Sequence, residues 1–402
     1  MSKIDIADIN PANPNNFYND KHEEIFSFLR QNEPVHYCER SEFGPYWSIT
    51  KYADILTIES QPEFFSSAQG FSIIDVPMMS EARSFLAMDP PEHRIIRQSV
   101  TPMASLESLK SLDLFISDLV SATLDKLPLD QPIDWVELVS IEITIKTLAL
   151  MMGVPLEDSQ KLLKWANIAA TMPSADEEIS SVEQYYSELR ECASYFEMLG
   201  HKYQELPPQN NFISMLLHSP NTKNLGSEER FLNLLLLLLA GNDTTRHSMT
   251  GSVIFFDDNP QQREIFYNEE TVMVSGISEI IRFQTPVAHM RRTATQDINF
   301  QGKEIKKGDK IILWYISGNR DASIISDPNN FIVNRNNHDT HLAFGAGVHR
   351  CIGKNIALLQ LKKLWQEIIR RGLIIKKVSE PERIRSNMVH GYSSLIVELI
   401  KI

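Results

Sequence analysis

Most hydrophobic residues of this chain recur at the spacing of an α-helix, with polar residues between them. One run is apolar almost all round, which favours a helix buried inside the protein. Glycine and proline close the runs, as in MMGVP at 151–155, because neither residue continues a helix well. The pattern predicts helices over 104–126, 138–152, 178–204, 227–257 (the apolar one) and 354–371.

Alternating polarity, which is typical of β-strands, is confined to two short regions. One is PYWSIT at 45–50, and the other is a predicted hairpin or meander over 298–317. We therefore expect a mainly helical fold with a minor antiparallel β part. ELPPQNN at 205–211 reads as a loop between helices, and no stretch resembles a flexible linker or an internal repeat. A single domain over 1–402 is expected.

Composition narrows the class of protein. The chain has 402 residues, 43% of them apolar, and a formal net charge of -13, which argues against a nucleic-acid partner. The apolar run LLLLLLAG at 234–241 is far shorter than the roughly 20 residues that span a bilayer, and the N-terminus lacks a signal-peptide pattern. Three scattered cysteines, Cys38, Cys192 and Cys351, suit a reducing compartment. We expect a cytoplasmic protein without a membrane span.

The sequence LAFGAGVHRCIG at 342–353 sets one cysteine, Cys351, among three glycines. Gly345, Gly347 and Gly353 permit backbone conformations that other residues resist, and they let a flat ligand approach the chain. A structural cysteine does not need this setting.

Charge around Cys351 points to metal binding. The residue precedes a predicted helix N-terminus, where unpaired N–H groups and the helix dipole favour an anion, and His349 and Arg350 add positive charge. We expect a thiolate. A lone thiolate without neighbouring ligands suits haem iron better than zinc, and no C-x-x-C-H motif predicts covalent attachment. A buried structural cysteine is the alternative reading.

The same loop resembles a known family. The pattern F-x-x-G-x-H-x-C-x-G, formed by Phe344, Gly347, His349, Cys351 and Gly353, is similar to the haem-binding loop of the bacterial cytochrome P450 superfamily. The resemblance implies haem b bound without a covalent link between the apolar helix and this loop. It also implies Cys351 as the axial ligand, with Phe344, Gly345, His349 and Gly353 beside the cofactor.

The apolar helix carries a second motif, LLAGNDTTRHS at 238–248. Ala240 and Gly241 lie on the face of Thr244, and small residues there let a bulky ligand lie against the helix. Oxygen activation consumes protons. By resemblance, Thr244 holds oxygen and a water while Asp243 supplies protons from solvent. A helix with a threonine bonded back to its own carbonyl is the structural alternative.

Two further resemblances concern charged residues. Glu279 and Arg282 are spaced i, i+3, which by itself is typical of a surface pair. The family implies instead a buried structural node that Arg335 completes. By the same resemblance, His93, Arg97, Arg292 and His349 bind the two haem propionates, although each could also be a surface cation. Arg291 is the neighbour of Arg292, whose spacing to Ala294 favours it.

The substrate region is read from apolar residues before the propionate histidine. They would line an adaptable pocket or simply pack in the core, and Arg83 is the one obvious cation among them. Four sequence strings, AGNDTTRHSMTGSV, EIIRFQTPVAHMRRTA, WYISGNRD and RIRSNMVHGYSSLIVEL, resemble bacterial hydroxylases of terminal methyl groups in alkanes and fatty acids. The residues assigned to the pocket are Ile73, Ile74, Val76, Met78, Met79 and Phe85.

The prediction is therefore a monooxygenase that uses O2 and hydroxylates an apolar, linear aliphatic substrate. Terpenoid or sterol side-chain hydroxylation is the rival activity, and a haem sensor without turnover or a zinc protein are rivals of other classes. We expect no fused redox domain in the stretch beyond the last helix. We thus expect electrons from a separate ferredoxin and its NAD(P)H-dependent reductase. The ferredoxin could dock on a basic patch of Arg94, Arg350, Lys354, Lys362 and Lys363.

Overall fold

The computed structural model describes residues 6–75, 82–170 and 181–401. More of these residues lie in helices than in strands, as the periodicity predicts. None of the helices within these ranges is long and apolar enough to cross a membrane. The helices are α1 Pro14–Tyr18, α2 His22–Asn32, α3 Tyr52–Glu59, α4 Glu92–Val100, α5 Leu106–Leu124, α6 Glu142–Met152, α7 Ser159–Ala170, α8 Val182–Gln204, α9 Phe212–His218, α10 Ser227–Asp258, α11 Pro260–Asn268, α12 Met273–Gln284, α13 Tyr315–Gly318 and α14 Lys354–Arg370.

The ends of the predicted helices agree with the observed ones within a few residues, except at the beginning of one helix. The run over 138–152 begins as a π-helical turn, Val136–Ile141, and continues as α6. Gly153 ends α6 in the left-handed conformation at φ 85°, as the glycine in MMGVP predicts. The first residues of the helix predicted over 178–204 lie outside the described ranges.

Within the described residues, the strands form four small sheets. The largest has the order β1-β2-β8-β5-β3, β4-β12-β9 is a second sheet, and β6-β7 and β10-β11 are two-stranded. The strands are β1 Val35–Cys38, β2 Tyr46–Ile49, β3 Phe65–Ser66, β4 Ile133–Asp134, β5 His289–Ala294, β6 Ile298–Phe300, β7 Lys303–Ile305, β8 Lys310–Trp314, β9 Leu373–Lys377, β10 Glu382–Arg383, β11 Tyr392–Ser394 and β12 Ile396–Lys401.

Two strand predictions need correction. The β part is not wholly antiparallel, because β2 and β8 pair in parallel, with Trp47 opposite Ile311. These strands are far apart in the chain, so no hairpin dictates their direction. The region 298–317 is also not one meander. β6 and β7 form a hairpin, whereas β8 pairs with β5 and β2, and the chain turns into α13 at Tyr315.

Packing separates a helical core from a sheet core. α10 passes through the helical core, where it packs against α6, α7 and α12. The sheet core consists of two apolar clusters. One gathers residues of β1, β2, β5 and β8 with α3, and the other contains Tyr46, Ile73 and Trp314. The cysteine loop follows the sheet part in sequence and leads directly into α14, whose inner face packs in the helical core. It therefore lies on the path between the two cores.

Candidate active site

The cysteine loop is shaped by two left-handed glycines. Gly345 has φ 64° and Gly347 has φ 60°, a conformation that strains other residues. The N–H of Cys351 donates to the carbonyl of Phe344 at 2.8 Å and closes the loop. Gly353 has φ -82°, so the expectation of unusual backbone there is wrong. Its role as the residue before α14 does not depend on that conformation.

The thiol of Cys351 is accessible, yet protein surrounds it closely enough that burial raises its pKa. Backbone N–H groups of Gly353 and Lys354, together with Arg97, act in the opposite direction and do not prevail. These neighbours favour the thiolate, as the sequence predicts, but they do not outweigh the effect of burial. A bound metal ion supplies the missing positive charge, because a coordinated thiol loses its proton.

Two histidines near the loop have unused hydrogen-bonding capacity. The rings of His93, on α4, and His349 lie 4.1 Å apart between centroids. Their four nitrogens are buried and have no hydrogen-bond partner among the described residues. Such groups are costly to bury unpaired, so the pair is suited to an acidic ligand. Haem brings two carboxylates, and these residues fit them.

The two histidines are not cations in this structure. Burial, with Arg97 next, lowers the pKa of His93 to about 4, and burial, with Arg292 and His93 next, lowers that of His349 to about 2. The expected positive charge of His349 is thus wrong. Both imidazoles would act as neutral hydrogen-bond donors.

The two arginines predicted to bind propionates differ. Arg97 is half-buried and donates to the carbonyl of Arg350 at 2.5 Å. Arg292 is 4% exposed, and its Nη2 lies 2.8 Å from Oε2 of Glu59. It is therefore neutralised by a carboxylate that the sequence reading did not identify. Arg292 still lies close enough to His93 and His349 to lower the pKa of both.

Near the middle of α10, the helix is exposed at one position within a largely buried stretch. Ala240 is exposed, and the hydroxyl of Thr244 donates back to its carbonyl at 3.1 Å. The shared face and the back-bonded threonine of the alternative reading are both present. Gly241 differs from the prediction, since an added Cβ would lie 2.8 Å from Cδ1 of Leu148. Its small size serves the packing of α10 on α6, and contact with the cofactor stays a prediction.

Asp243 points away from solvent. It is 7% exposed, and its Oδ1 accepts from Arg246 Nη2 at 2.8 Å and from Asn242 Nδ2 at 2.9 Å. Burial raises the pKa of Asp243, against the opposing effects of Arg246 and Asn242. The carboxyl is therefore able to hold a proton more readily than an exposed aspartate.

The structural node is present as a buried network. Both carboxylate oxygens of Glu279 accept from Arg282, each at 2.7 Å, and Arg335 Nε lies 3.0 Å from Glu279 Oε2 without a hydrogen bond from that nitrogen. Glu279 and Arg282 are each 1% exposed, so the surface-pair alternative is wrong. The carbonyls that accept from the arginines belong to Asn319, Ser326, Asp327, Pro328 and Asn330.

Part of the predicted pocket belongs to the sheet core. Ile73 is fully buried with Tyr46 and Trp314, and Ile74 packs against the same cluster, so core packing is the better reading of both. Phe85 instead lies beside His93, at 6.1 Å between ring centroids. Val76, Met78 and Met79 lie outside the described residues.

Sequence reasoning missed Glu59 and Tyr315. Glu59 ends α3 and is 3% exposed, and the hydroxyl of Tyr315 donates to its Oε1. Their partner Arg292 is more than two hundred positions from Glu59, so no local pattern reveals the contact.

Comparisons with known proteins agree with this geometry. A family model described as cytochrome P450 matches residues 165–389. The chain is 30% identical to linalool 8-monooxygenase of Pseudomonas putida over 400 residues, 96% of this chain and 98% of that enzyme. It is 28% identical over 392 residues to methyl-branched lipid omega-hydroxylase of Mycobacterium tuberculosis strain H37Rv, covering 94% and 91% of the two chains.

Solved structures show the same similarity. Cytochrome P450-153 from Novosphingobium aromaticivorans matches with a TM-score of 0.89 and 36% identity, covering 97% of this chain and 99% of the other. CYP153D17 from Sphingomonas sp. PAMC 26605 matches with a TM-score of 0.91 and 38% identity, covering 97% and 98%.

The chain therefore belongs to the cytochrome P450 family. It is a haem-thiolate monooxygenase with the mainly helical P450 fold, as the sequence predicts. The sensor and zinc-protein alternatives are not supported.

Proposed function

We propose that this P450 hydroxylates the terminal methyl group of an aliphatic chain. Its haem, held by Cys351 with His93, Arg97, Arg292 and His349 at the propionates, would supply the activation of O2. The residues of the chain would orient the substrate, exclude water and deliver protons.

The observation that carries the proposal is an apolar side chain between two parts of the site. The N–H of Phe85 donates at 2.9 Å to Oδ1 of Asn233 on α10, two helical turns before Ala240 and on the same face. The Phe85 ring also lies beside His93. An aromatic side chain here would narrow the approach to the cofactor, which favours the end of a chain over its middle.

Two relatives bear on the substrate. The name of the mycobacterial relative, methyl-branched lipid omega-hydroxylase, supports a chain-end reaction on a lipid. Terpenoid hydroxylation remains a second candidate, because linalool 8-monooxygenase is 30% identical over almost the whole chain.

A substrate panel tests the proposal. Haem-loaded protein with a surrogate ferredoxin and reductase would be given alkanes, fatty acids, linalool and a sterol, and the hydroxylated position would be read by mass spectrometry. We expect terminal alcohols from linear chains. Turnover confined to linalool or the sterol would overturn the proposal.

Phe85→Ala sharpens the same experiment. Widening the approach should shift product from terminal to neighbouring positions, where the C–H bonds are weaker. Ile73→Val is the matched control, because Ile73 packs in the sheet core. An unchanged product ratio in Phe85→Ala would show that this ring does not select the chain end.

Thr244 and Asp243 are proposed to deliver protons. Thr244 lies on the same face of α10 as the exposed Ala240, and Asp243, with its raised pKa, would supply protons from behind it. Thr244→Ala should let NADH consumption continue while product per electron falls several-fold. Thr244→Ser keeps the hydroxyl and should restore coupling. Equal coupling in Thr244→Ala and the parent protein would contradict this role.

A separate ferredoxin, reduced by an NAD(P)H-dependent reductase, is the proposed electron donor. Arg94, Arg350 and Lys362 are exposed and could attract an acidic partner. Lys354 and Lys363 contribute less, since they pair with Asp339 at 3.3 Å and Asp113 at 2.8 Å. Reduction by ferredoxin should slow as salt rises, and a rate independent of salt would argue against this patch.

A further inference from the structure

Glu59 joins three elements through its buried carboxylate. Oε2 accepts from Arg292 of β5 at 2.8 Å, and Oε1 accepts from the hydroxyl of Tyr315, the first residue of α13. All three side chains are at most 4% exposed. A charged pair this deeply buried is retained only when its geometry is good and its remaining positions are hydrogen-bonded.

The same residues touch the cysteine loop at its two left-handed glycines. A Cβ added to Gly347 would lie 2.0 Å from the carbonyl oxygen of Glu59, so the loop backbone rests directly on the end of α3. A Cβ added to Gly345 would lie 3.3 Å from the hydroxyl oxygen of Tyr315. The shape of the loop and the position of this network therefore depend on each other.

The charges of Glu59 and Arg292 balance each other within the protein itself. Burial works to lower the pKa of Arg292, but Glu59 and Tyr315 outweigh it and the pKa is raised, so the guanidinium stays charged. Burial and Glu59 raise the pKa of Tyr315 well above its usual value, so the phenol stays neutral. Arg292 and Glu59 together carry no net charge.

Some N–H groups of Arg292 remain available to donate hydrogen bonds to a ligand. Of its five N–H groups, one on Nη1 donates to the carbonyl of Arg291 at 2.7 Å and one on Nη2 donates to Glu59. The guanidinium also lies close enough to influence His93 and His349, whose unpartnered nitrogens mark the propionate side of the site.

We propose that Glu59 is a positioning residue for the haem. Its carboxylate holds Arg292 so that the free N–H groups face a propionate, and its contacts through Gly347 and Tyr315 keep the cysteine loop in register with that arginine. Its negative charge would also offset that of Arg292 beside the bound haem, which would favour the more positive, oxidised state of the cofactor.

A charge cycle tests the proposal through the midpoint potential of the haem, which is measured in the absence of any substrate. Glu59→Gln keeps the shape but removes the negative charge, and the potential should shift in the positive direction. Arg292→Gln should shift it in the negative direction, and the double variant should return close to the parent value. Glu304→Gln, an exposed partner of Lys306, is the matched control and should leave the potential unchanged. A Glu59→Gln potential equal to the parent value would overturn the electrostatic role.

Tyr315→Phe keeps the test decisive if Glu59→Gln fails to fold, because it removes one hydroxyl and no charge. The proposal predicts an unchanged potential and a several-fold faster release of haem to an acceptor apoprotein. An unchanged release rate would overturn the coupling between this network and the loop. Both readouts are independent of whether the enzyme hydroxylates chain ends.

Discussion

Two buried glutamate–arginine networks support the cysteine loop from different sides. The α12 network consists of Glu279, Arg282 and Arg335, and the α3 network consists of Glu59, Arg292 and Tyr315. The α12 network binds backbone carbonyls before the loop, whereas the α3 network contacts the loop glycines themselves. The first therefore holds the segment 319–330 that precedes the loop, and the second contacts the loop directly.

The two networks also differ in how visible they are. Glu279 and Arg282 lie one helical turn apart, so their spacing reveals the pair, and the family resemblance predicts that it is buried. Glu59 and Arg292 are 233 positions apart in the sequence. A long-range contact of this kind leaves no periodicity in the sequence.

The largest expected effect comes from the α12 network. Arg282→Ala leaves Glu279 buried with only the Arg335 ion pair and the hydrogen bond from the Ile332 N–H. Breaking such a buried pair costs about 3–5 kcal/mol of unfolding free energy. Urea denaturation of the haem-loaded protein measures it. Arg370→Ala is the matched control, since Arg370 pairs with Glu367 at the same i, i+3 spacing but is largely exposed. Equal losses in the two variants would show that burial of the node does not matter.

Gly347→Ala tests the close contact in the α3 network. The added Cβ would meet the Glu59 carbonyl and would also sit at positive φ, and the two together cost about 2–4 kcal/mol. We expect a matching loss of stability and of retained haem. Gly302→Ala, at φ 77° in open space, isolates the cost of conformation. If both variants lose the same amount, the contact with Glu59 is unimportant.

His341 makes the stability of the region around the α12 network depend on pH. Burial, with Lys354 and Arg282 next, lowers its pKa from 6.5 to about 3, and its Nδ1 accepts from the Ala343 N–H at 3.3 Å. The pKa of His341 is lower in the folded state than in the unfolded state. Its contribution to the free energy of unfolding is therefore fully present above pH 6.5 and falls as the pH drops towards 3. The loss between pH 7 and pH 5 is about 2 kcal/mol. His341→Gln should flatten that slope in urea denaturation, and an unchanged slope would contradict the assignment.

The smallest change in unfolding free energy is expected from the exposed contacts of Lys354, the first residue of α14. Lys354 lies 5.7 Å above the ring of Phe344 and 3.3 Å from the exposed Asp339. Lys354→Ala should change the unfolding free energy by less than about 1 kcal/mol. A loss as large as that of Arg282→Ala would mean that the exposed contacts, and not the buried networks, hold the loop.

The sequence predicts much of the fold and part of the site. Helix positions follow from periodicity, and Cys351, Thr244 and the α12 network follow from motifs. The parallel pairing of β2 with β8 could not be read, because it joins distant segments. Side-chain surroundings were also hidden: the neutral state of His349 and the contact of Gly241 with Leu148 depend on packing from other elements.

The central claim is that Cys351 binds haem iron as a thiolate within these two networks. The most direct test is the absorption difference spectrum of the dithionite-reduced protein with and without carbon monoxide. The account predicts a strongly red-shifted Soret band, which Cys351→Ser should abolish. A band at the shorter wavelength typical of histidine or thiol ligation in well-folded protein would contradict it.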